Sequence, residues 1–385
     1  MGKTGRMLII EWRSIGYSAL RATAFLTLLV AAYATRYPPL MGVYLLVAAC
    51  LVLSNLNVFA DVGVRERTGA IIFVLVLTIM LPLSVFRSET ALLHYATSLI
   101  SLGVAFVLTQ SMEVYFKACR LVLVAAQAAV LGYLFYTGLA NFPLEDILPN
   151  SSSNGVTSYL VVMQANYCLT NYLLYRRASL LTAATTLFIC FVGWGRGSLL
   201  AASALFVIGV LFKIPGRNLP SMLLRVLLVG SAVLVAYLLY SAEIVDLVAG
   251  TKVASGIYDE SRVEMITDYF GRLNGGTLWT GAEYEGTSIA DLYNGNPHNS
   301  FIRAHHIFGL PYLLAIMLVP VYMVRKAQPL PVKLYAAGIF AIVLFRAFSE
   351  PILFPTLFDY FYFSACLALA RLPARPRGDA VPAPA

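Results

Sequence analysis

Three short segments of the chain put residues capable of phosphate or proton chemistry at the starts of helical runs. Trp194-Gly195-Arg196-Gly197-Ser198 lies between two apolar stretches, so its glycines let the backbone turn sharply and leave Arg196 just before the N-terminal end of the next helix. Such an end carries orphan N–H groups and the positive pole of the helix dipole, and a guanidinium added to it makes a cradle for phosphate. In Ser261-Arg262-Val263-Glu264 the serine and glutamate have capping-box spacing, and Val263, Ile266, Phe270 and Leu273 follow on one helical face. Arg262 then also occupies a first turn. In Asn296-Pro297-His298-Asn299-Ser300-Phe301 the proline stiffens the approach, and Asn299 or Ser300 can cap the apolar run that follows. His298 is thereby held at a helix start, where the dipole and neighbouring arginines disfavour imidazolium and keep the ring neutral, able to accept a proton.

Each segment also has a structural reading. An interfacial arginine often anchors a span by snorkelling, Arg262 reads equally as a solvated loop charge, and a lone histidine in a capping turn is commonly structural. Asn299, Arg303 and Arg272 are secondary candidates in the same stretches. His305 and His306 follow His298 closely, but no acid falls among the three to complete a ligand set, so no metal is expected. Arg346 and Glu350, four apart, read as a structural pair. Gln164, Asn166 and Asn171 read as hydrogen-bond glue between helices, and His94 as packing. Glu283, Glu285 and Asp291 are acids whose spacing singles out none.

The chain that must position these segments is 59% hydrophobic and 12% charged over 385 residues, against roughly a quarter charged in a soluble domain. Runs of about 20 apolar residues, enough to cross a hydrocarbon core of roughly 30 Å, recur along it and are too continuous for barrel strands. The pattern predicts an all-α polytopic membrane protein of twelve transmembrane helices, at 22–36, 38–56, 69–86, 91–116, 119–138, 156–175, 179–194, 197–212, 221–240, 301–324, 332–347 and 352–370. The net charge of +8 is dispersed between spans and forms no stripe interleaved with aromatics, which argues against nucleic acid. All five cysteines lie in or beside apolar runs, where neither a disulfide nor a thiol metal site is expected.

With the N-terminus inside, 19 of the 27 Lys and Arg fall on the cytoplasmic side, a bias that one orientation alone satisfies. Both termini are then cytoplasmic. Residues 1–21 form a basic N-terminal segment with no cleavage site after the first apolar stretch. Residues 22–370 form a single transmembrane domain, and 371–385 are a Pro/Ala-rich disordered tail. A large outer loop, 241–300, separates spans nine and ten and holds nine of the 19 acids. Arg196, Arg262 and His298 all fall on the outer face.

At this point the chain resembles the O-antigen ligase and polymerase superfamily of membrane glycosyltransferases. The matching residues are the Gly-Arg-Gly-Ser turn at 195–198, Ser-Arg at 261–262 in a large outer loop, and Pro-His-Asn-Ser-Phe at 297–301 running into Gly309-Leu310-Pro311. The motifs cover roughly residues 180–330, and the rest matches by span count and topology. Gly195 stands where the family usually has serine, and Tyr312 where it usually has a further glycine. The resemblance implies a multi-pass protein of the bacterial inner membrane that takes a glycan from undecaprenyl diphosphate at the periplasmic face. The acceptor would be lipid A core, for a ligase, or another lipid-linked repeat, for a polymerase. Arg196 and Arg262 would bind the diphosphate and His298 would serve the acceptor hydroxyl, in a metal-independent, inverting transfer without a cofactor. The rival readings are a polysaccharide transporter or flippase, which should place polar or broken-helix sites near the midplane in two repeated halves, and a cell-wall glycan polymerase resting on an acid such as Asp259 or Asp268.

Overall fold

The computed structural model describes residues 3–60, 62–138, 144–148, 152–193, 195–213, 224, 231 and 260–371. The expected ninth span at 221–240 lies almost entirely outside the described residues, as do 241–259, Trp194 and the tail beyond Arg371. Among the described residues every regular element is helical: α1 (Lys3–Thr35), α2 (Pro38–Leu53), a 3-10 turn (Leu56–Phe59), α3 (Val64–Val85), α4 (Ala91–Leu108), α5 (Met112–Thr137), α6 (Ser153–Tyr175), α7 (Leu180–Val192), α8 (Arg196–Lys213), α9 (Glu260–Gly271), α10 (Gly275–Thr280), α11 (Ser288–Asp291), α12 (Ser300–Lys326), α13 (Leu330–Ser349) and α14 (Asp359–Ala370). Seven of them, α1, α3, α4, α5, α8, α12 and α13, contain stretches long and apolar enough to cross a membrane, and α2 and α7 are shorter apolar helices. This is consistent with a polytopic membrane protein.

The bundle is built around α6, which is buried continuously from Val156 to Leu173 and packs against α5, α7, α8, α13 and α14. Buried on all sides, it cannot use polar residues at a surface, and its amides are spent on neighbours. Asn166 donates through Nδ2 to the Phe361 carbonyl at 2.5 Å and accepts the Tyr115 hydroxyl at 2.6 Å. Gln164 accepts from Thr186 at 3.2 Å, and Gln127 donates to the same Thr186 oxygen at 2.8 Å. Asn171 instead donates to the Arg177 carbonyl at 2.7 Å, tying down the turn that follows its own helix.

Two expected spans are drawn differently. The run 91–116 breaks at 109–111, because Arg371 reaches across to take the Thr109 hydroxyl at 2.9 Å and the Phe106 carbonyl at 3.3 Å while Ser111 caps α5. The run 352–370 is helical only from Asp359. Residues 350–358 form a coil that is almost wholly buried, the one setting in which irregular backbone is tolerated at membrane depth. Its polar groups are met from all sides. Tyr33 donates to the Ile352 carbonyl at 2.9 Å, Arg303 to the Leu353 carbonyl at 2.6 Å, and the Asp359 carboxylate accepts the Phe354 and Thr356 N–H groups at 2.7 and 3.0 Å.

Helix α12 is interrupted at Gly309 (φ 69°, ψ −173°). Pro311 has no N–H to offer the Ile307 carbonyl, and the Arg87 guanidinium takes its place at 2.8 Å while also donating to the Gly281 carbonyl at 3.0 Å. Burial lowers the basicity of Arg87. The segment 260–299 docks into this break. His305 donates from Nε2 to the Leu278 carbonyl at 2.8 Å, so its Nδ1 is the acceptor for the Tyr269 hydroxyl at 2.7 Å. His306 bonds the Ala282 carbonyl at 2.6 Å and stacks on Tyr284 with ring centroids 3.9 Å apart. Burial raises the Tyr269 and Tyr284 hydroxyls well above their ordinary range, so both keep their protons. The two histidines therefore act as fasteners between the segment and α12.

At Gly281 the docked segment approaches α12 too closely for a side chain. A Cβ at Gly281 (φ +95°) would stand 2.1 Å from the His305 carbonyl oxygen, whereas one at Gly138 (φ +76°) would meet nothing within 4 Å. Both positions require a left-handed backbone, and that strain alone is worth about 1–3 kcal/mol. Gly281→Ala is therefore expected to lower the thermal midpoint of the detergent-solubilised protein much further than Gly138→Ala. Equal shifts would show that the segment does not sit in the break.

Candidate functional site

The three segments singled out by residue type meet at one corner of the bundle, at the C-terminal end of α13. Arg346, in its last turn, is 1% exposed. Its guanidinium donates to the Ser349 hydroxyl and the Ser158 hydroxyl, each at 2.5 Å, and to the Asn154 carbonyl at 3.3 Å, and lies 3.6 Å from the Glu350 carboxylate. The same carboxylate oxygen is the partner of Arg262, at 3.0 Å, and Arg262 also donates to the Ser349 carbonyl at 2.5 Å. Glu350 thus stands between two arginines, one sealed in the bundle and one with a side chain 27% exposed.

The Arg196 turn packs onto this corner from α8. A Cβ at Gly197 would come within 3.0 Å of Arg346 Nη1 and 3.1 Å of the Ser349 hydroxyl, and one at Gly195 within 2.9 Å of Asn154 Oδ1 and Thr157 Oγ1. Glycine rather than serine at 195 therefore follows from the closeness of α6. Thr157 donates to the Ser198 hydroxyl at 2.8 Å, closing the turn against the same helix. Arg196, half-buried, is the first residue of α8, one residue inside the helix it was expected to precede.

The His298 segment arrives from the other side. Asn299 caps α12 by accepting from the Phe301 and Ile302 N–H groups at 2.8 and 3.2 Å. Ser300 does not cap. It donates to the Glu350 carbonyl at 2.6 Å and accepts from the Leu353 N–H at 3.2 Å, locking α12 to the corner. His298 itself is half-buried with φ +46°, its N–H on Asn296 Oδ1 at 3.1 Å and its ring edge-on to Tyr293 at 6.0 Å. The starts of α6, α8 and α12 thus gather around the end of α13 beside Arg262 of α9, and the dipoles of those three starts add positive potential to that of the arginines.

Other expectations at the site are corrected or redirected. Ser261 lies inside α9, which is described from Glu260, so it is not a cap. The expected apolar face is split: Ile266 and Leu273 pack against the core formed by Met265 and Tyr269, while Val263 is 42% and Phe270 50% exposed. The cause is tertiary, since Tyr269 must reach His305 and Ala282, and Met265 joins it in a small core with Ile289 and Ile302. Of the secondary candidates, Arg303 is committed to the carbonyls of Leu353 and Phe354. Arg272 pairs with Asp268 at 3.1 Å. Asp268 in turn accepts the Ser288 N–H at 2.7 Å, and that bond chiefly holds its carboxyl below the usual range. These residues shape the segment 260–299. Asp259 and Trp194 lie outside the described residues. Sequence reading missed the convergence on Ser349 and Glu350; the Arg346–Glu350 spacing signalled a pair but gave no sign of the third partner.

In comparisons with protein-family models, curated proteins and solved structures, nothing matches the chain.

Removing one member of a buried ion pair strands its partner, at about 3–5 kcal/mol, whereas a partly exposed pair contributes about 1 kcal/mol or less. Glu350→Ala, which leaves Arg346 buried without its carboxylate, is expected to destabilise the solubilised protein strongly in thermal unfolding. Arg262→Ala should cost far less. The reverse order would mean that Arg346 does not depend on Glu350.

Proposed function

We propose that the chain is a lipid-linked glycan transferase of the O-antigen ligase and polymerase type. It would be a protein of the bacterial inner membrane with twelve spans, cytoplasmic termini and a periplasmic working face. The observation that carries this reading is the meeting of the Arg196, Arg262 and His298 segments, spread over about a hundred residues of sequence, at the Ser349–Glu350 corner.

That arrangement suits displacement at an anomeric carbon bearing a diphosphate. The acceptor oxygen forms a bond to the anomeric carbon as the bond to the diphosphate breaks, inverting the centre. The acceptor proton passes to the imidazole of His298, and the leaving undecaprenyl diphosphate gathers negative charge. Arg196 and Arg262, backed by helix N-termini, oppose that charge where it develops. Glu350 holds the Arg262 guanidinium in one orientation, and a fixed donor stabilises a transition state without reorganising. A general base contributes typically about 10²–10⁴ in rate. The glycan would come from undecaprenyl diphosphate, the acceptor being lipid A core or a second lipid-linked repeat.

The break in α12 is the one feature that favours the transporter reading. Its freed groups, however, are taken by Arg87 and covered by the backbone around Gly281, leaving it filled by the protein itself.

Arg196→Ala, Arg262→Ala and His298→Ala should each lower glycan transfer by about 100-fold or more while the protein inserts at normal levels. A polysaccharide gel of a deletion strain reads the class: unligated long chains mark a ligase and single repeats a polymerase. An unchanged profile, or full activity in all three variants, would overturn the assignment.

A further inference from the structure

Away from this corner, at the end of the bundle where Arg371 ties α14 to α3 and α4, lies a groove of about 390 Å³ between α2 and α3, floored by α4. Its wall on α3 is Arg67, Ile71 and Val74, and its floor on α4 is Leu99, Leu102 and Phe106, with Val52 closing it from α2. Both sets follow helical i, i+3/i+4, i+7 spacing, so the groove runs along the helix axes for two turns, about 10 Å. Among the described residues lining it Arg67 is the one with a charge, and it stands at the groove's end, in the first turn of α3. Exposed, Arg67 donates to the Val62 carbonyl at 3.3 Å. Glu66, the acid of that turn, is buried and engaged with Arg371 at 3.2 Å.

We infer that this groove holds one acyl chain of an anionic phospholipid whose phosphate meets Arg67. The fit lies in the order of the parts: a cation at the helix start, where arginine side chains reach the headgroup level, then an apolar channel leading from it parallel to the spans, as a lipid chain lies. An uncharged apolar ligand would have no use for the arginine, and a soluble anion none for the channel. The inference does not rest on the transferase reading.

Native mass spectrometry of the full chain, released from detergent and titrated with phosphatidylglycerol or with phosphatidylcholine of the same chains, tests it. The wild type should retain phosphatidylglycerol preferentially. Arg67→Gln should weaken that binding about fivefold, the effect of one arginine near an anionic headgroup, and leave phosphatidylcholine unchanged. Ile71→Trp, at an exposed position on the groove wall, should reduce binding of both, with the lipid-free melting temperature serving as the control for folding. Equal binding of the two lipids by the wild type, an unchanged preference in Arg67→Gln, or a lipid-free dimer that closes the groove would overturn the proposal.

Discussion

A carboxylate placed between two arginines organises the end of this protein that carries the segment 260–299. Arg346 is sealed among α6, α8 and α13, and a buried guanidinium is sustained only if its charge and its N–H groups are both met. Glu350 supplies the charge, and Ser349, Ser158 and Asn154 supply acceptors. Because the Glu350 carboxylate also holds Arg262 and its backbone carbonyl accepts from Ser300, the same residue ties α9 and α12 to the corner. The buried coil 350–358 follows from this as well, since the chain must leave the corner non-helically before α14 can start at Asp359.

The segment 260–299 is the second consequence. It is held to the corner by Arg262 and to the break in α12 by His305, His306 and Arg87. Its position is therefore set at two places, which is what a loop must have if it is to hold a reactive group steady over a membrane surface. In the proposed function the arginines receive the diphosphate and the histidine the acceptor proton, so the spacing between them is governed by these two attachments and not by the loop's own short helices.

Much of this was legible in the residues. Apolar run length located most of the helices, because a span needs little more than hydrophobicity. The glycines around Arg196 and the cap at Asn299 announced themselves through local chemistry. What was hidden depended on partners far away in sequence. The turn at 109–111 exists because Arg371 satisfies the end of α4, and the non-helical run before Asp359 because Arg303, Tyr33 and Asp359 satisfy it. On α9 the apolar face was half legible: Ile266 and Leu273 pack inward, but Val263 and Phe270 look like core until Tyr269 is seen to need His305. Glu350 carried the signature of an ordinary helical pair, and nothing in its spacing pointed to residue 262.

The central claim is that two arginines at helix starts form a diphosphate site, and it can be tested without knowing the sugar or the acceptor. Binding of undecaprenyl diphosphate and of uncharged undecaprenol to the full-length protein in lipid nanodiscs, with chelator present, measures it directly. The account predicts that the diphosphate binds more tightly, that the preference shrinks with added salt, and that the Arg196→Ala/Arg262→Ala variant loses it. Equal binding of the two lipids, or a preference that survives in the double variant, would contradict it.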